Sequence, residues 1–197
     1  MTRIPYPTDD ELDDDARAIL AALPPLNIVR MFANAPAALR PLTELGQANL
    51  IHAELDPRLR QIAILTIARV SGSEYERAQH ENVSRAVGLA ENEIAAAVSG
   101  DFEGLDEPGR LVARFAEQIA EDVAADEATT AAVYELLGRR QATELVVCCA
   151  YYCAVARIIA TCGVELEDAL PTAGIDADDW ASRQAEAALD AREAPPS

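Results

Sequence analysis

The chain has 197 residues, half of them apolar, with 34 acidic against 16 basic side chains and a net charge of −18. That length bounds one domain with a sizeable core. The charge argues against nucleic acid and anionic membranes as partners, since such a surface repels phosphate. Abundant alanine with sparse aromatics and few glycines favours an all-α fold over a sandwich or barrel.

Helix punctuation is readable in chain order. Thr8 with Glu11 forms a capping box, followed by a helix to about Leu23 that stops at Pro24-Pro25. A short piece from Ile28 to Ala33 follows, then a helix from Pro36 to about His52. Asp56-Pro57 is a strong start, with aspartate as cap and proline in the first turn. That helix runs to Val70 and breaks at Ser71-Gly72. The next spans about Ser73 to Val87 and closes at Gly88. Further helices are predicted at Glu91–Ser99, Glu107–Asp122, Glu127–Leu137 and Arg140–Thr161, with Gly100, Gly138 and Gly163 as stops. From Leu145 to Ala160 the last of these is apolar on nearly all faces. It is predicted to be a buried central helix, or one covered partly by another subunit. It is shorter than the ~20 residues of a membrane span, and Arg157 interrupts it. Met1 to Leu20 is acidic and lacks the apolar run of a secretory signal, so a soluble, cytoplasmic protein is expected. The helical domain is expected over residues 1–172. Residues 173–197 are read as an acidic C-terminal helix or tail, the helix expected at Asp176–Arg192 and anchored by Trp180 and Leu189.

Catalytic chemistry is sparse. There is no nucleophile elbow, phosphate loop or dinucleotide fingerprint. With only two histidines and no paired ligand motif, no metal is expected. Cys148, Cys149, Cys153 and Cys162 fall on one helical segment, poor geometry for a disulfide framework, and read as small core hydrophobes. What stands out is Gly72-Ser73-Glu74-Tyr75-Glu76-Arg77-Ala78-Gln79-His80. Glu76 and His80 are four apart, on one helix face, with Cβ atoms about 6 Å apart. On spacing alone a structural pair is the commoner outcome, and a general acid–base pair is the functional alternative. A neighbouring carboxylate should raise the histidine pKa toward neutrality. Arg157 reads either as half of a structural ion pair or as a fork for a substrate carboxylate.

The segment Leu55-Asp56-Pro57-Arg58-Leu59-Arg60-Gln61-Ile62-Ala63-Ile64-Leu65, then Gly72 to His80, then Ala86-Val87-Gly88-Leu89, resembles the carboxymuconolactone decarboxylase family, which shares its fold with the alkylhydroperoxidase AhpD. The resemblance implies an all-helical AhpD-like fold assembled as a homo-oligomer, a trimer or hexamer. The peroxidase branch carries Cys-x-x-Cys before a histidine. Here those positions hold Ser73 and Glu76, the histidine is His80, and the upstream glutamate is replaced by Gln61. A thiol peroxidase is therefore disfavoured, since its nucleophile is absent. The decarboxylase branch implies removal of carbon dioxide from a small carboxylated lactone of aromatic catabolism, without cofactor. His80 is then the general acid/base, with Glu76 orienting it and holding its proton. Ser73, Tyr75 and Gln61 would line the pocket, and Arg157 would bind the anionic substrate. A non-catalytic oligomeric binding protein is the remaining alternative.

Overall fold

A computed structural model describes residues 2–168. The expected tail helix at Asp176–Arg192 lies outside them. Among the described residues the structure is helical without strands: α1 (Asp14–Ala22), α2 (Asn27–Phe32), α3 (Pro36–Gln47) followed by a π-helical turn (Ala48–His52), α4 (Pro57–Val70), α5 (Glu74–Ala86), α6 (Glu91–Ser99), a 3-10 turn (Phe102–Gly104), α7 (Glu107–Glu121) and α8 (Glu127–Cys162).

Helix α4 holds the centre. Asp56 caps it, accepting from the backbone N–H of Arg58 at 2.8 Å and of Leu59 at 3.1 Å. Every residue from Leu59 to Ala68 is buried, and α4 packs on α5, α6, α7 and α8. Arg58 ties its start to Glu93 of α6 and to Asp106, the cap of α7. A second apolar cluster joins α1, α2 and α3 to the C-terminal half of α8, through Leu12, Phe32, Leu39, Val155 and Ile159. Tyr151 packs on both clusters, and its hydroxyl donates to the Leu42 carbonyl at 3.0 Å. Gly46 permits that approach, because a Cβ there would lie 2.8 Å from the Tyr151 oxygen.

Two sequence expectations are corrected. The first helix begins at Asp14 and not at Thr8: Asp13 wins the cap by accepting from Ala16 N–H at 2.7 Å. Thr8 and Glu11 do bond each other, but they close a separate turn ahead of the helix. The stop expected at Gly138 is observed: α8 consists of two helical stretches that break where Gly138 adopts φ 71°, a left-handed value that glycine takes without a Cβ clash. Finally, α8 is not covered on every side. Leu145, Cys148, Cys149, Tyr152 and Ile159 are buried, whereas Val146 and Val147 are 44% and 40% exposed and Ala150, Ala154 and Arg157 are exposed. Hydropathy marks α8 as the central helix. The structure gives that position to α4, which buries Arg60, Gln61 and Thr66 along with its aliphatic residues.

Candidate active site

The break at Gly72 lets α5 restart across the end of α4. Ser73 caps α5, accepting from the Glu76 N–H at 3.4 Å. One face of α5 then presents Tyr75, Glu76, Gln79, His80 and Val83, the i, i+1, i+4, i+5, i+8 pattern of a single helical stripe. All five line a cavity of about 520 Å³ at the seam between the two apolar clusters. Its remaining walls are mostly apolar, including Ile28, Val29 and Phe32 of α2, Leu50 of the π-helical turn, and Val155 and Ile159 of α8.

His80 is held from behind. Its Nδ1 lies 2.9 Å from Gln61 Oε1 of α4, and its ring meets Tyr152 edge-on with centroids 4.8 Å apart. With a carbonyl oxygen as acceptor, this bond assigns the proton to Nδ1 and leaves the lone pair on Nε2. Glu76 is 2% exposed, and neither carboxylate oxygen has a hydrogen-bond partner among the described residues.

Burial sets both protonation states, in opposite directions. Loss of solvation pushes the Glu76 carboxyl up to about 7, opposed by the Ser73 hydroxyl. Loss of solvation, with the positive charge of buried Arg60 beside it, pushes His80 down to about 3. This overturns the expectation that Glu76 raises the histidine pKa. The two side chains share a face and a cavity but make no hydrogen bond or ion pair. Folding in effect moves a proton from the imidazole to the carboxyl: carboxylate and imidazolium in water become carboxylic acid and neutral imidazole inside. Gln61, and not Glu76, orients the ring.

The remaining candidate residues divide. Tyr75 lines the cavity, while Ser73 sits beside it as the cap of α5. Gln61 stands behind His80 and does not line the cavity, a correction to its expected place. Arg157 does not reach the site: it lies on the exposed face of α8, where its Nη1 donates to the Cys153 carbonyl at 2.6 Å. Three residues were missed. Gln79 is on the Tyr75–Val83 stripe and was legible by periodicity. Arg60, fully buried in α4, carried a signal only once α4 is known to be covered on all sides. Glu167, which bonds Tyr75 and Gln79, follows α8 in an irregular segment and gave none.

The thiols are poorly placed for redox chemistry. Burial pushes Cys148 up to about 12 and raises Cys149 well above the ordinary thiol value. Cys153 is also raised by burial, with the Arg157 hydrogen bond opposing. A thiolate nucleophile requires the reverse shift. Among the described residues no three His, Cys, Asp or Glu side chains converge as a metal cage would.

Gln61→Glu offers a check on the geometry. A carboxylate in place of the amide would face Nδ1 at about the same distance and favour the imidazolium. His80, neutral down to about pH 3 in the native protein, is expected to titrate about 2 units higher in the variant, a typical shift for an opposite charge at contact. Long-range proton–nitrogen NMR of the ring reads this directly. An unchanged titration would mean that Gln61 does not hold the ring.

Fold and site together define a class, an all-helical AhpD-like core with a buried carboxyl–imidazole site at the head of one helix. Within it, residues 36–103 match the model of the Carboxymuconolactone decarboxylase family, a stretch from α3 to the 3-10 turn that contains Gln61, Ser73, Tyr75, Glu76, Gln79 and His80. Over that stretch the chain is similar to this family, the one that the sequence resemblance named. A solved structure from Ralstonia eutropha JMP134, described as an alkylhydroperoxidase AhpD core and an uncharacterized peroxidase-related protein, shares the fold. It has a TM-score of 0.73 at 18% identity over 85% of this chain and 93% of that one. No curated protein sequence matches the chain.

Proposed function

We propose that the protein is a cofactor-free acid–base enzyme of the carboxymuconolactone decarboxylase type, acting on a small, largely apolar substrate that carries a carboxyl and a lactone or similar carbonyl. The observation that supports it is the buried Glu76 carboxyl, pushed up to about 7, beside a neutral imidazole in an apolar cavity. A catalytic acid works best with a pKa near the operating pH.

In a decarboxylation the bond to the carboxylate carbon breaks and carbon dioxide leaves. The electron pair spreads into the unsaturated carbonyl system, and a proton is delivered to carbon. An apolar wall disfavours the localised carboxylate of the substrate more than the dispersed charge that follows. Glu76 in its acid form supplies the proton. His80 Nε2 accepts a hydrogen bond, while Gln61 fixes the ring. The thiol-peroxidase alternative is opposed by Ser73 and Glu76 standing at the expected thiol positions and by the raised thiol pKa values.

The assay is carbon dioxide release from γ-carboxymuconolactone. Turnover is expected, declining above pH 7 as Glu76 ionises. Absence of turnover between pH 5 and 8 would reject this substrate.

We also propose that the chain forms a homo-oligomer, a trimer or hexamer, through the uncovered stripe of α8. Val146 and Val147, 44% and 40% exposed beside exposed Ala150 and Ala154 on α8, support it. Val147→Asp is expected to reduce the assembly to single chains by light scattering. A native protein that is already monomeric would contradict the assembly.

A further inference from the structure

Two of the side chains that line the cavity, Tyr75 and Gln79, hold one of the chain's own carboxylates. The Tyr75 hydroxyl donates to Glu167 Oε1 at 2.6 Å, and the Gln79 amide donates to Oε2 at 2.6 Å. The Asn27 N–H also reaches Oε1 at 2.7 Å. Tyr75 and Gln79 are 5% and 7% exposed and belong to the stripe that carries Glu76 and His80. The hydroxyl of Tyr75 accepts from the Ile28 N–H at 3.3 Å, so its single proton is directed at the carboxylate. Two buried side-chain donors, one on each oxygen, make a clamp shaped for a carboxylate. Glu167 comes from the short segment after α8. That segment is seated by Val164, by Asn27 Nδ2 on the Glu165 carbonyl at 2.9 Å, and by the Glu165 N–H on the Tyr6 hydroxyl at 3.2 Å.

We infer that Tyr75 and Gln79 form a carboxylate-binding subsite in the cavity wall, that Glu167 is its built-in occupant, and that a small monocarboxylic acid with an apolar body binds by displacing Glu167. The ligand's carboxylate takes the two donors, and its apolar body lies against Ile28, Phe32 and Val155, toward Glu76 and His80. Recognition of a carboxylate therefore falls to neutral donors on α5, the task that sequence reading gave to Arg157. Because Glu167 is tethered, it competes at high effective concentration, and the ligand's affinity in the native protein is reduced by the fraction of time the clamp is closed.

The inference rests on reading this cavity as the substrate site, but its test uses binding alone, so failure of the decarboxylase assay leaves it standing. The probes are cyclohexanecarboxylate and its neutral counterpart cyclohexanecarboxamide, titrated calorimetrically at pH 6 against the full chain. Glu167→Ala is expected to bind the carboxylate at least tenfold more tightly than the native protein, with no comparable gain for the amide. Adding Tyr75→Phe should abolish the gain. Glu167→Gln, which keeps the size of the side chain, serves the same comparison if the alanine variant does not fold, with a smaller gain in the same sense. Equal affinity of the native and Glu167 variants for the carboxylate, or an equal gain for both probes, would overturn the subsite.

Discussion

Glu76→Gln is expected to make the protein more stable at pH 8, by about 3 kcal/mol, while abolishing turnover. The fold raises this carboxyl from an ordinary 4.5 to about 7. Between those values the native state keeps a proton that the unfolded state has lost. Stability therefore falls as pH rises from 4.5 to 7 and stays reduced above it. The gap corresponds to about 3 kcal/mol at 1.36 kcal/mol per unit. Glutamine fills the same volume without the charge, so the cost at pH 8 vanishes, and near pH 4 the variant and native protein should unfold alike. Urea midpoints at the two pH values measure the difference. A purely structural glutamate would give the opposite sign, with glutamine destabilising at pH 8. Stability gained at the expense of activity is the mark of a residue kept in an unfavourable place for its chemistry.

His80→Gln is expected to lower turnover of a substrate by 10²- to 10⁴-fold, the usual contribution of a positioned acid or base. Retained turnover would remove His80 from the mechanism. The same variant has a stability signature. His80 falls from 6.5 to about 3 on folding, so the unfolded state gains a proton below 6.5 that the native state refuses. Stability is complete above 6.5 and is lost as pH falls toward 3. At pH 4 that loss is about 3 kcal/mol, and the glutamine variant should escape it. Between 4.5 and 6.5 the slopes of Glu76 and His80 oppose each other, so the native protein should show little pH dependence from this pair. Either single substitution exposes the slope of the other.

Local chemistry made most of the frame readable. Asp56-Pro57 and Ser71-Gly72 bracket α4 at the observed residues, and Ser73 with Gly88 brackets α5 to within one residue. Capping is a short-range effect, and the caps are written next to the helices they start. The pairing of Glu76 with His80 on one face followed from helical period alone. Their protonation did not, because it depends on how completely α2, the π-helical turn and α8 cover α5, which no local pattern records. The Gln61 contact joins residues 19 apart on different helices. Arg157 stands out in the sequence because it interrupts the most apolar run. Hydropathy reports what a helix can bury, and the packing of four helices on α4 decided that Arg60 is the arginine taken inside. Glu167 had no sequence signal, since its role depends on a turn after α8 folding back onto Tyr75 and Gln79.

The protonation inversion is tested most directly by a pH titration of the native protein, following the Glu76 carboxyl carbon and the His80 ring nitrogens together by NMR, with Glu76→Gln and His80→Gln assigning the signals. The expected result is a carboxyl that titrates near 7 and an imidazole that stays neutral, with its proton on Nδ1, down to at least pH 4. A carboxyl titrating near 4.5 with an imidazole titrating between 6 and 7 would contradict it. The pair would then be an ordinary ion pair on a solvated helix.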